Sequence, residues 1–165
     1  MTRARDQAKF NVIQKQYVSL TSTTQLTRAG AIDELSTSLR IAFTPKHASS
    51  VLFAEVSAWF CVPSSTNLIY SYIYDVTNSA VASQPPSDGS RQRMHYSVRH
   101  NDYDANDFGN MAYTIPIAAS NTNARTYTPY VGTEGTTLQF LSSTLSSSAG
   151  VNSPFTFSVT EIYNP

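Results

Sequence analysis

The chain has 165 residues, with eleven Lys plus Arg against eleven Asp plus Glu, and charged residues make up only 13% of it. That length suits one domain with room for a real core, and balanced charge leaves no global field to draw nucleic acid or an anionic membrane. The 23 Ser, 19 Thr, ten Tyr and eight Phe against only six Gly favour a pleated, half-buried surface, and so an all-β chain.

The first fifteen residues, MTRARDQAKFNVIQK, differ from the rest. Arg3, Arg5, Lys9 and Lys15 face a single acid, Asp6, and the apolar positions Phe10, Val12 and Ile13 are too sparse for a self-standing helix. The expectation is an N-terminal arm over 1–15 that docks on another subunit, with Arg3, Arg5, Lys9, Phe10 and Ile13 as its contacts, followed by a domain over 16–165. The opening lacks the apolar segment of a secretory signal, and no apolar run approaches the roughly 20 residues of a membrane helix, so a soluble, non-exported chain is expected.

Strand signals then follow one another. Gln16–Leu20 and Leu39–Phe43 are expected strands, and Val51–Phe60 alternates, with Leu52, Ala54, Val56 and Ala58 on one face and Val51, Phe53, Glu55, Ser57 and Trp59 on the other. Pro45 in the intervening TPKHASS excludes one continuous strand, and the two runs are expected to pair as consecutive antiparallel strands. Asn67–Asp75 alternates cleanly. Arg93–His100, Ala112–Ala119, Arg125–Val131, Thr137–Ser142 and Phe155–Tyr163 complete nine candidates. Pro116 and Pro129 demote their runs to edges or bulges. The strand number and spacing predict an antiparallel β-sandwich or jelly roll with an extended N-terminal arm. Residues 76–91 and 101–110 read as long loops, 121–124 and 132–135 as tight turns, and 143–153 as a mobile Ser-rich stretch.

No constellation completes a chemical site. Cys61 is the single cysteine, which excludes a disulfide framework and multi-cysteine zinc patterns; it reads as a small buried hydrophobe. Asp102, Asp104 and Asn106 begin a calcium-loop pattern, but Asp107 stands where Gly is needed and Tyr113 where a bidentate Glu is needed. His95 and His100 point to opposite faces of one strand and cannot share a metal. No nucleophile elbow is present, and nothing in the spacing of Glu55, Asp75, Glu134 and Glu161 singles out a catalytic pair. The expectation is a chain that is not an enzyme and needs no cofactor.

Two stretches carry a resemblance. Arg40–Leu52, RIAFTPKHASSVL, and the closing Val159–Ile162, VTEI, with Arg3–Asp6, RARD, resemble small virion proteins of tailed bacteriophages, particularly those of cyanophages and other aquatic phages. The pattern covers about 120 residues and departs from the usual form in having Ser49 and Ser50 where a Lys precedes the second strand. The resemblance implies a β-sandwich of a capsid decoration, tail-tip or tail-fibre protein. A short sandwich with an arm suits a decoration (cement) protein best: bound to the major capsid protein, on the outer capsid surface of the virion, as a homotrimer, with no nucleic acid or membrane partner. A tail fibre or receptor-binding protein is the second reading. A carbohydrate-binding sandwich is the third, for which Tyr103 is the one evident loop aromatic.

Overall fold

The computed structural model describes residues 11–21, 26–29, 32–62, 67–87, 89, 93–100, 107–133, 137–140 and 154–163. They form two antiparallel six-stranded sheets packed face to face, the sandwich the alternation predicts. Sheet A holds β1 (Asn11–Leu20), β2 (Leu26–Ala29), β5 (Val51–Val62), β9 (Asp107–Ala118), β11 (Thr137–Phe140) and β12 (Phe155–Tyr163). β5 is its spine: β9 pairs along one side for the full length, while β12 and β11 follow one another on the other side, backed by β1 and β2. Sheet B holds β3 (Asp33–Glu34), β4 (Ile41–Phe43), β6 (Asn67–Asp75), β7 (Ala80–Val81), β8 (Tyr96–His100) and β10 (Arg125–Thr133), with β10 and β6 at its centre.

The core lies where the period-2 pattern puts it. Leu52, Ala54, Val56, Ala58 and Phe60 of β5, Phe155, Phe157 and Val159 of β12, and Met111, Ile115 and Ile117 of β9 face Ile41, Phe43, Ile69, Ile73, Tyr127 and Val131 of sheet B. Phe140 packs edge-on against Phe60 and Phe155, an arrangement that suits the ring quadrupoles.

Several expectations need correction. The Leu39–Phe43 and Val51–Phe60 runs do not pair: β4 joins β10 in sheet B and β5 lies in sheet A, so TPKHASS carries the chain across the sandwich. Leu39 itself ends a 3-10 turn, Thr37–Leu39, capped by the Ser36 hydroxyl, which accepts from the Ser38 N–H. β1 starts at Asn11, so residues 11–15 of the expected arm are paired with β12. The strand expected over 112–119 begins at Asp107 and takes in the end of the loop expected at 101–110; β8 begins at Tyr96, three residues later than the signal. Gly132 and Thr133, expected in a turn, belong to β10.

The two prolines divide. Pro116 lies in β9, which pairs with β5 alone among the described residues, as an edge proline should. Pro129 lies in β10, which has neighbours on both sides, but it falls between the stretch paired with β4 and the stretch paired with β3. β2, β3 and β7 were not legible; two to four residues carry no period. The expected turn at 121–124 is present, with the Asn123 N–H donating to Asn121 Oδ1 and Ser120 in the left-handed region at φ 60°. The stretch 143–153 lies outside the described residues.

Candidate docking face

The corner that crosses between the sheets is held by a buried carboxylate. Glu161 stands opposite Leu52 on the inner side of sheet A, is fully buried, and accepts from the backbone N–H groups of Lys46 (2.9 Å) and His47 (3.1 Å) and from Gln14 Nε2 (2.7 Å). Gln14 also donates to the Thr44 carbonyl at 2.7 Å. It reaches both because the β1 register slips between Val12 and Gln14: Ile13 is the extra residue of a bulge, and the slip turns Gln14 inward. His47 then stacks on Tyr163 with ring centroids 4.2 Å apart. Burial alone would push the Glu161 carboxyl up, but the hydrogen bonds from Lys46, Gln14 and His47 more than offset it and hold the group below its usual range. TPKHASS and VTEI, 115 residues apart in the chain at the Lys46 bond, are thus one structural device.

A second polar cluster forms around His95 and Tyr113. The His95 Nδ1 accepts from the Ile73 N–H (3.0 Å) and its Nε2 lies 3.3 Å from the Ser83 carbonyl, which fixes a neutral ring with its proton on Nε2. Burial pushes its pKa down. The Tyr113 hydroxyl bonds Ser71 Oγ at 2.7 Å, and Ser71 in turn donates to the Tyr130 carbonyl. His95 is therefore a structural group; the His100 side chain lies outside the described residues.

The outer faces present different chemistry. On sheet B, Tyr130 stacks on Tyr74 (4.4 Å) and Tyr72 (5.5 Å), and the Arg40 guanidinium grips Glu34 through two bonds of 2.8 and 2.7 Å. The Arg40 pair, against the opposing effect of burial, holds the Glu34 carboxyl low. Tyr70 covers Gly132: a β-carbon there would collide with the Tyr70 ring and come within 2.7 Å of the Ile32 Cα.

On sheet A the cross-strand row Val12, Ile162, Val51 and Ala118 is apolar from edge to edge. Tyr17 is 72% exposed, Val12 64% and Trp59 45%, and neither aromatic stacks on another ring among the described residues. Beside Tyr17 a shallow groove of about 410 Å³ is lined by Lys15, Tyr17, Glu55, Thr156 and Ser158, with Lys15 4.0 Å from Glu55. An exposed ion pair of that length contributes little to stability. Exposed aromatic and aliphatic side chains around a small polar centre make a surface suited to another protein.

The expected site residues divide in the same way. Arg3, Arg5, Lys9 and Phe10 lie outside the described residues, as do Asp102, Asp104, Asn106 and Tyr103. Ile13 lies on β1 at the bulge, exposed, at the margin of this face. Of the four carboxylates, Glu55 is on the outer face, Asp75 caps the turn after β6 by accepting from the Asn78 N–H, Glu161 holds the corner, and Glu134 lies outside the described residues. Among the described residues, no three His, Cys, Asp or Glu side chains gather as a metal site. Tyr17 and Trp59 were not singled out as contacts. The Val51–Phe60 alternation had already placed Trp59 on the outer face, which was the signal to use.

No family model matches the chain, and no curated protein matches it. Among solved structures, a chain in the structure of the infectious bursal disease virus Gx strain is similar over 93% of this chain, with 12% identity and a TM-score of 0.43. This chain spans 33% of that one.

Proposed function

We propose that this chain is a structural protein of a phage virion, a decoration protein that binds the outside of the major capsid protein shell and stabilises it. The observation that carries the reading is the Glu161 corner. The two stretches that resemble small phage virion proteins, RIAFTPKHASSVL and VTEI, meet there, so the resemblance rests on a joint of the fold rather than on scattered residues. Binding rather than catalysis fits the site. Glu161 and His95, the carboxylate and the imidazole of the two polar clusters, are engaged in holding backbone.

In this reading the outer face of sheet A is the docking surface, and copies sit where capsomers meet, where symmetry favours a homotrimer. The basic segment with Arg3, Arg5 and Lys9 adds charge-assisted contacts to the neighbour, with Phe10 and Ile13 as apolar anchors. The reaction class is none, and the reading invokes no cofactor, nucleic acid or membrane. The test is where the chain sits in an intact particle: density for it repeated across the whole shell is the expected result. A few copies confined to the tail or its vertex would replace this reading with a tail fibre or receptor-binding role.

A further inference from the structure

The strand edges of this sandwich are guarded unequally. At one side of sheet A, β1 is bent by its bulge at Ile13 and carries Lys15. In sheet B, β3 and β7 have two residues, β4 has three, and β8 has five. Short strands, bulges and charges are the usual means of discouraging a foreign strand. β9 has none of them over most of its length: it runs for twelve residues without a register shift, pairs only with β5 among the described residues, and from Phe108 to Ala118 carries no charge.

Its backbone polarity can be read from two bonds. The Ala119 N–H donates to the Ser50 carbonyl, on the β5 side, whereas the Asn110 carbonyl accepts from the Tyr96 hydroxyl, on the other. Backbone groups alternate along a strand, so the even-numbered residues aim N–H and C=O away from β5. Pro116 is one of these, so its missing N–H costs β5 nothing. Among the described residues, Ala112 and Thr114 are left presenting both N–H and C=O, and Asn110 its N–H and the second lone pair of a carbonyl that Tyr96 already uses, with small, exposed, uncharged side chains.

We propose that β9 pairs antiparallel with β9 of a second copy of this chain, about a two-fold axis through Ala112. In that register Asn110 lies opposite Thr114, Ala112 faces its own copy, and Pro116 falls at the end, opposite Phe108. Asn110, Ala112 and Thr114, each with an N–H aimed outward, are symmetric about Ala112, and the residue without a donor lies beyond them. The edge is thereby its own complement, with no like charges brought together, which selects a second copy over a foreign strand. The pairing joins the two A sheets and sets their outer faces side by side. It does not depend on the virion role, and with a three-fold association it links trimers, so dimers or hexamers form.

Sedimentation of the full chain tests this. The wild type should sediment as an even multiple of the protomer, and Ala112→Lys, which places two cations on the axis, should halve that mass without changing the melting temperature. Ala112→Cys in a Cys61→Ser background should cross-link to a dimer under mild oxidation, since residues opposed in a ladder lie within disulfide reach. A wild type that is monomeric or trimeric overturns the proposal, as does a folded Ala112→Lys protein of unchanged mass. Should Ala112→Lys fail to fold, the cysteine variant decides, and failure to cross-link overturns it.

Discussion

The two outer faces of the sandwich share an architecture and differ in what their side chains are doing. On sheet B the aromatics use one another: Tyr130 lies against Tyr72 and Tyr74, Tyr70 covers Gly132, and Arg40 is bound to Glu34. On sheet A, Tyr17 and Trp59 are exposed and have no ring partner among the described residues, on the same face as an apolar cross-strand row. Aromatic content alone would choose sheet B as the recognition surface. The geometry reverses that choice, because a ring whose face is covered by its neighbour has little left to offer a partner, whereas an unstacked, exposed Trp is the kind of side chain that anchors interfaces.

The largest expected effect breaks both faces together. Glu161→Ala removes the shared acceptor of the Lys46 and His47 N–H groups and of Gln14, and should cost roughly 3 kcal/mol, since each buried donor left unpaired costs about 1–3 kcal/mol. Chemical denaturation measures this; a loss under about 1 kcal/mol would mean that the corner is held by something else. Next comes Gly132→Ala, which forces Tyr70 and the Ile32 backbone apart and should destabilise by about 1–3 kcal/mol as overpacking does. Its damage should be confined to sheet B, visible as altered tyrosine near-UV signal.

The pH dependence separates the two polar clusters. His95 is pushed below its ordinary pKa by burial, so the unfolded chain binds the proton more readily; its contribution is complete above about pH 6.5 and is lost as pH falls below that. The slope from one such group is limited to about 1.4 kcal/mol per pH unit. Glu161, also held low, is lost in a separate step below its ordinary value of 4.5. Denaturation midpoints of the wild type and His95→Gln across pH 4 to 7 check this, and parallel curves above pH 4.5 would contradict it.

Then comes Tyr130→Ala, which gives up stacking worth about 0.5–1.5 kcal/mol per ring pair on top of its buried area. Trp59→Ser and Tyr17→Ser should move stability by only about 0.5 kcal/mol, as exposed substitutions usually do.

How much of this was legible follows from where the information sits. Val51–Phe60, Asn67–Asp75 and Phe155–Tyr163 could be read because each alternates over nine or more residues with one face buried. The destination of β4 could not. A break of seven residues permits a hairpin or a crossing equally, and what decides between them is Glu161, more than a hundred residues away. β1 was read short for a related reason: its first half has adjacent apolar residues, Val12 and Ile13, and no alternation, and gains its strand geometry from pairing with β12 and from the Gln14 contacts, not from a hydrophobic period. Among the candidate groups, the residue types were visible but their employment was not. Glu161 and His95 looked like potential chemistry and are fixtures of the fold, while Trp59, placed correctly on the outer face, gave no sign in sequence of being left unstacked.

Cosedimentation with undecorated capsid shells tests the docking assignment directly, using the folded Trp59→Ser, Tyr17→Ser double variant beside Tyr130→Ala and the wild type. The double variant should bind at least tenfold more weakly while Tyr130→Ala, though less stable, binds like the wild type. The reverse pattern, full binding by the double variant and loss by Tyr130→Ala, would contradict it and move the docking surface to sheet B.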